Sequence, residues 1–366
     1  MRRAAILHYL TQWMWLSDSF VYGPIAVTRH RPTVVSRMPI INDHIYPPPP
    51  DLVSLGHDAP AEGDDTAALV AERLGSLRPD LVHVHHGYSL PDAASIARAF
   101  RVPLVVSFWG YDVTAMPSTE PGRICPYLNE MDIAVVPSRF LAARILELGV
   151  DAERIQVLPG PVDGRFFELS PLPTEPRVAF VGRFVAKKGL DVLLAAWTLA
   201  RRAVPTAELT LLGYGDPAPP ADPGLGVRVR TPDSADPRRQ VHDLIRWCRV
   251  YVSPSQTGPD GDSESQHIGN LEAQAAGRVV LTTDHGPIPE FVENGTTGVV
   301  VPQGDRVALA DALIALLIDI PRCDRIGRNA AVAARRFHVE RIGKAHDEMY
   351  SRLLGDHQPW TDRGGP

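Results

Sequence analysis

The run Gly258–Gly277, GPDGDSESQHIGNLEAQAAG, puts Asp260, Asp262, Glu264 and Glu272 in one short stretch. Three chemistries fit it. A carboxylate can accept hydrogen bonds from two neighbouring hydroxyls at once, which suits a ribose or hexose diol. DGDSE also looks superficially like a calcium-loop opening or a DxD metal site. Against that, Ser265 stands where a calcium loop needs Gly, and Leu271 where it needs the bidentate Glu. The third option is a solvated acidic loop. On the sugar reading, Glu272 holds a ribose and Glu264 a sugar, while Asp260 and Asp262 only solvate the loop. Gly269 and Asn270 open a helical segment that stops at Gly277. Glu264 then lies ahead of the helix and Glu272 on its early turns.

A second constellation is FVGRFVAKKGLDVLLAAW, residues 180–197. A strand ends at Gly182, Arg183 follows in the loop, and Lys187, Lys188 and Gly189 precede a helix. Free N–H groups and the positive end of the helix dipole favour an anion there. With Arg183 and Lys188 this makes a convergent anion site, the alternative being two surface bases near a βα loop. It is not a Walker A loop, since no GxxxxGK[ST] occurs.

Histidines are the third feature. His83, His85 and His86 cluster in DLVHVHHGYS, but strand alternation puts His83 and His85 on one face and His86 on the other. A three-histidine metal site built from them is therefore not expected. His267 sits beside the sugar-holding stretch and is a candidate for donor or acceptor contact. Trp13, Met14 and Trp15 follow the first strand and read either as core packing or as an acceptor-facing platform.

These residues need a scaffold. The chain has 366 residues, 44% hydrophobic and 22% charged, which implies two globular domains. Net charge is −6 and no basic stripe with interleaved aromatics occurs, so nucleic acid is a poor partner. Three scattered cysteines, Cys125, Cys248 and Cys323, fit a reduced cytoplasmic protein and no zinc site. MRRAAILHYL reads as a first strand, not a signal peptide, and no apolar run reaches spanning length. The expected location is cytoplasmic, with at most a peripheral contact at the inner face of a membrane.

Strands are expected at AAILHYL, PTVVSRM, LVHVHH, PLVVSFWG and DIAVVPS, then at RVAFVGR, AELTLLG, VYVSPS and RVVLTT, separated by helical stretches. Near-continuous Val/Ile/Leu runs of this kind mark buried parallel strands. INDHIYPPPPDL reads as a stiff proline-rich loop, and PGPVDGRFFELSPLPTEP (residues 159–176) as the inter-domain linker. The expected fold class is α/β with two doubly wound Rossmann-like domains facing across a cleft. The boundaries are 1–168, 169–340, a C-terminal helix 341–356 packing back toward the first domain, and a tail 357–366.

GRFVAKKG, then Glu264-x7-Glu272, then GPIPEFVENGTTGVVV, together resemble retaining glycosyltransferases of the GT-B fold, family 4. WLSDSFVYGPI is similar to that family's S-E-T-F-I segment, DLVHVHHGYS to its H-x-H-F-G strand, and VVSFWGYDVTA to its T-F-H-G-x-D. VVPSRFLAARILELGVDAERIQVLPGPVD is similar to the segment closing its first domain. The resemblance covers nearly the whole chain. It implies transfer of a sugar from a nucleoside-diphosphate sugar, UDP or GDP favoured, to a hydroxyl of a polysaccharide, lipid-linked precursor or small natural product. No metal and no further cofactor are implied. Arg183, Lys188 and Glu264 would carry the chemistry. The donor would lie on Gly182, Arg183, Lys188, Glu264, Ser265, Gln266, His267, Ile268, Gly269, Asn270 and Glu272, in the second domain. Ser17, Asp18, Ser19, His85, Trp109 and Asp112 would face the acceptor or the sugar from the first.

Two departures from the pattern stand out. Trp109 replaces the family's His in H-G-x-D; it accepts no hydrogen bond and is no base, so it stacks on a sugar or narrows the pocket. Ser265-Gln266-His267 replaces a loop that begins with Gly, which alters the donor pocket. They keep two rival readings open: a non-catalytic sugar-nucleotide binder, and an epimerase or phosphorylase of the same fold.

Overall fold

The structure is a computed structural model that describes residues 3–60, 62–233 and 235–356. The expected tail over 357–366 lies outside the described residues. The chain divides into two units: one runs to Pro161 and resumes at Val339, and the other is Val162–His338.

The first unit carries a seven-stranded sheet, β1 (Ala5–Leu10), β2 (Arg31–Ser36), β3 (Leu52–Ser54), β4 (Leu81–Val84), β5 (Leu104–Ser107), β6 (Ile133–Val136) and β7 (Ile155–Val157). Its order is β3-β2-β1-β4-β5-β6-β7, with every described pair parallel. The second unit carries six parallel strands, β8 (Arg177–Arg183), β9 (Glu208–Tyr214), β10 (Val227–Arg230), β11 (Val250–Ser253), β12 (Val279–Thr283) and β13 (Val299–Val301). Their order is β10-β9-β8-β11-β12-β13. In each sheet the order in which strands are added reverses once, between β1 and β4 and between β8 and β11. Such switch points are where doubly wound folds hold ligands, beyond the carboxyl ends of the strands.

The strands expected from apolar runs all form. The four that the sequence reading missed, β3, β7, β10 and β13, are the four sheet edges. They are three or four residues long and keep partly exposed positions, so no continuous apolar run announces them.

The segment 159–176 is not a free linker. Residues 162–168, assigned to the first domain from sequence, belong to the second unit. The Val162 N–H donates to the Phe337 carbonyl at 2.8 Å, and Phe166 is fully buried in the second unit. Two buried arginines strap down the rest. Arg249 donates to the carbonyls of Pro173, Thr174 and Leu317, and Arg278 to those of Ser170, Ile245 and Arg246. A buried guanidinium is tolerated when its fork satisfies carbonyls in this way.

The helix Val339–Asp356 is part of the first unit. Tyr350 and Met349 are buried with Ile6, Leu81 and Val105, and Asp347 accepts from Thr28 Oγ1 and from the Arg29 N–H. A Cβ at Gly343 would fall 2.2 Å from Val27 Cγ2, so glycine is what lets this helix approach so closely.

Candidate active site

In the second unit, β8 ends at Arg183, whose side chain is exposed and meets no partner among the described residues. A single turn, Ala186–Lys188, leads to Gly189 and the helix Leu190–Ala203. Gly189 has φ +63°, and a Cβ there would lie 2.0 Å from the Pro254 carbonyl oxygen. Glycine is therefore required both by the turn and by the backbone of the β11 loop.

That loop meets Lys188. Its Nζ donates to Glu264 Oε1 at 2.6 Å, and Ser255 Oγ donates to the same oxygen at 2.9 Å. Burial is the largest single influence and would raise the Glu264 carboxyl, but Lys188, His267 and Lys187 together outweigh it and hold the group well below the usual carboxylate range. Burial lowers the Lys188 ammonium, with Glu264 acting in the opposite sense. Lys187 pairs with Asp262 at 2.7 Å. This corrects the expectation for Asp262, which ties the acidic loop to the β8 loop instead of merely solvating it. Asp260 stays local and accepts the Asp262 N–H.

His285, beyond β12, was not found from sequence. Its Nε2 accepts the Glu264 N–H at 3.1 Å and lies 3.2 Å from Ser263 Oγ. It fixes the backbone that presents Glu264. No local pattern marks it, because its partner lies twenty-one positions earlier.

The helix Ile268–Ala275 follows, capped by His267, whose Nδ1 accepts the Asn270 N–H at 3.3 Å. Ser265, Ile268 and Gly269 are half-buried, and Gln266 is buried. A Cβ at Gly269 would lie 2.1 Å from Tyr251 Oη, which seats the helix against β11. Asn270 turns inward: it accepts from Ser253 Oγ at 2.6 Å and reaches Thr282 Oγ1 at 3.4 Å. Its side chain is fully buried and holds strands together. Gly182 packs against β9, where a Cβ at Gly213 would fall 1.9 Å from the Gly182 carbonyl oxygen.

Glu272 is buried and accepts from Arg238 at 2.7 Å. Arg238 lies near the start of the helix Pro237–Trp247, with its guanidinium 5.1 Å from the centre of the Phe166 ring. Burial raises the Glu272 carboxyl, and Arg238 offsets it only in part. The sequence reading missed Arg238, which is one of two adjacent arginines and bears no sign of a partner thirty-four residues away. The two carboxylates at 264 and 272 are thus separate sites, each held by its own cation.

In the first unit, Asp18 precedes the helix Ser19–Val27 and accepts the Trp15 N–H at 3.0 Å. Ser17 is exposed and Ser19 half-buried. Asp112 accepts the N–H groups of Gly87 at 2.7 Å and Trp109 at 3.3 Å, which ties together the loops after β4 and β5. Trp109 donates its indole N–H to the His85 carbonyl at 2.8 Å, and its ring lies edge-on to Phe20 at 4.2 Å. With His85, Ser107 and His346 it borders a cavity of about 10 Å³. Trp13 and Met14 are core residues, whereas Trp15 is exposed.

The histidines group differently from expectation. Parallel pairing sets His8 on β1 beside His83 on β4, and His8, His83 and His85 bring ligating nitrogens within 4.8 Å of one another. The three could hold a metal ion by proximity, but each is already engaged. His8 Nδ1 meets His85 Nε2 at 2.9 Å, and His83 meets Tyr350 Oη at 2.6 Å and Ser107 Oγ at 2.8 Å. The rings of His83 and His85 lie tilted at 32° with centres 4.2 Å apart, and those of His8 and His85 stack at 5.1 Å. This is a neutral hydrogen-bonded network: burial lowers all three imidazoles, His8 to about 3. Among the described residues no helix is long and apolar enough to cross a membrane.

Comparison with known proteins places the chain in a family. Residues 175–319 match the family described as glycosyl transferases group 1, and residues 25–165 that described as Glycosyltransferase Family 4. The D-inositol 3-phosphate glycosyltransferase of Nocardia farcinica is 30% identical over 310 residues, covering 75% of this chain and 67% of its own. The amylovoran biosynthesis glycosyltransferase AmsK of Erwinia amylovora is 27% identical over 264 residues, covering 68% of this chain; the match spans 64% of AmsK, slightly less than two thirds of its length. Anabaena HepE, crystallised with UDP and glucose, superposes with a TM-score of 0.75 at 19% identity, covering 96% of this chain and 100% of HepE, which shows the shared GT-B fold.

Proposed function

The chain belongs to the group 1, family 4 glycosyltransferases, and on that premise we propose that it transfers a sugar from a nucleoside-diphosphate sugar to a hydroxyl acceptor with retention. One observation carries the reading. At the switch point of the second sheet, exposed Arg183 and the Lys188–Glu264 pair stand beside the start of the helix Leu190–Ala203. These are groups for a diphosphate and a sugar. Arg183 and Lys188 hold the diphosphate and stabilise the charge that grows on it as the glycosidic bond breaks. Glu264 takes hydroxyls of the donor sugar, and Glu272, steadied by Arg238, takes the nucleotide ribose. The C1–phosphate bond breaks, the acceptor oxygen bonds C1 on the same face, and the acceptor proton passes to a phosphate oxygen. Cationic side chains and a helix terminus do the work that a metal does elsewhere, so no metal is needed. UDP is the favoured nucleotide, supported by its presence with HepE. The acceptor is a polysaccharide, lipid-linked or natural-product hydroxyl, engaged by the first unit.

The test is a thermal-shift titration with UDP- and GDP-sugars in the presence of EDTA. Stabilisation of the wild type is expected. Arg183→Ala should weaken it about 10–100-fold, since a charged hydrogen bond is worth roughly 1.5–3 kcal/mol. Unchanged affinity in that variant would sink the phosphate assignment. A second reading, binding without transfer, is favoured by Trp109, which is committed to His85 and Phe20 and borders a cavity of about 10 Å³. Donor binding with no turnover across a broad acceptor panel would select it.

A further inference from the structure

His267 occupies a conformation that side chains avoid. Its φ is +68° and ψ +79°, in the left-handed region, which among non-glycine residues is uncommon and points to a local constraint. The constraint is visible. The ring turns back so that Nδ1 faces the Asn270 N–H at 3.3 Å, and the Tyr251 ring stands edge-on to it at 6.4 Å.

This contact decides the tautomer. A ring nitrogen that faces an N–H must be the unprotonated one, so the proton of the neutral imidazole sits on Nε2. The ring is neutral, because burial first and Lys188 next lower it to about 3. The residue is 6% exposed, and Nε2 is buried with no hydrogen-bond partner among the described residues. A buried N–H without an acceptor is a cost that native proteins rarely leave standing. Lys188 and Glu264 are close enough to act on this ring electrostatically, and they are paired with each other. A donor that draws Lys188 to its phosphates and Glu264 to its hydroxyls would part that pair and bring sugar oxygens toward this ring.

We propose that the His267 Nε2–H is a recognition group for the transferred sugar: it donates a hydrogen bond to a sugar oxygen and selects a donor bearing oxygen there over the deoxy analogue. This rests on the donor-site reading above. A site built to pair a substrate oxygen discriminates strongly against an analogue that lacks it, because the buried N–H is then left unpaired. The side chain thus adds a contact that a glycine could not make.

The test uses the full chain and two probes, UDP-glucose and GDP-mannose, with UDP and GDP as sugar-free controls, followed by calorimetry. His267→Asn keeps an acceptor for the Asn270 N–H and tolerates the left-handed backbone, but has no group at Nε2. It should bind the free nucleotide within two-fold of wild type and the sugar nucleotide about 5–10-fold more weakly, the worth of one neutral hydrogen bond. His267→Gln, which restores an N–H near the Nε2 position, should recover most of that loss and guards against an effect of folding. Equal sugar-nucleotide affinity in wild type and His267→Asn overturns the assignment while leaving the donor site intact. Failure of the wild type to bind either sugar nucleotide overturns both. Independently of any ligand, ¹⁵N imidazole shifts should show Nδ1 unprotonated and Nε2 protonated; the opposite tautomer refutes the proposal.

Discussion

Lys188 Nζ lies 2.6 Å from Glu264 Oε1, and both side chains are largely buried. Removing one partner leaves an uncompensated buried charge. Lys188→Met should lower stability by about 3–5 kcal/mol, whereas Lys188→Met with Glu264→Gln should lose clearly less than the sum of the single changes. Urea unfolding of the four proteins measures the coupling. Strict additivity would mean that the pair is not formed in solution.

Arg238 and Glu272 form the second buried pair. Burial already raises the Glu272 carboxyl with Arg238 present, and Arg238→Met removes the charge that opposes it. A protonated carboxyl accepts fewer hydrogen bonds from a ribose. Nucleotide affinity should therefore fall on the acid side, and in Arg238→Met the fall should begin at higher pH. Titration of UDP binding against pH checks this, with Glu272→Gln as the variant that should lose that limb.

Gly189 is fixed by its φ of +63° and by the 2.0 Å approach that a Cβ would make to the Pro254 oxygen. Gly189→Ala should cost about 1–3 kcal/mol, from overlap and backbone strain together, and should weaken UDP binding by displacing Lys188. Gly304 also has positive φ, +76°, but opens onto free space. Gly304→Ala should cost less and leave binding unchanged. Equal costs at the two sites would refute the packing argument.

The buried histidines of the first unit should make it acid-sensitive. Burial lowers His8 to about 3, and lowers His83, His85 and His346 as well. Their folded values lie below the unfolded value of about 6.5, so below that pH the unfolded chain binds protons that the folded chain refuses. Stability is fully present above about pH 6.5 and falls as pH drops toward the folded values. Each such histidine contributes a slope of about 1.4 kcal/mol per pH unit. Chemical denaturation between pH 7 and 5 should show this fall, and His8→Gln should flatten it by one histidine's share. A flat profile would show that the imidazoles are not buried neutral.

The sequence by itself determined the two doubly wound sheets, through Val/Ile/Leu runs long enough to be buried on both faces. It also determined the loop–helix stretch that carries Glu264 and Glu272, and the βα loop that carries Arg183 and Lys188. Both are local patterns, set by a strand end, a turn glycine and a helix start within a few residues. What no local pattern carries, only the tertiary structure decided. Arg238 finds Glu272 across thirty-four positions, His8 finds His85 across seventy-seven, and Lys188 finds Glu264 across seventy-six. The four edge strands form because a neighbour offers its hydrogen bonds, not because their own residues demand burial. His267 shows the division most clearly. Its place in the motif is read from the chain, but its left-handed backbone, its tautomer and its unspent N–H exist only because the fold closes Tyr251 and Asn270 around it.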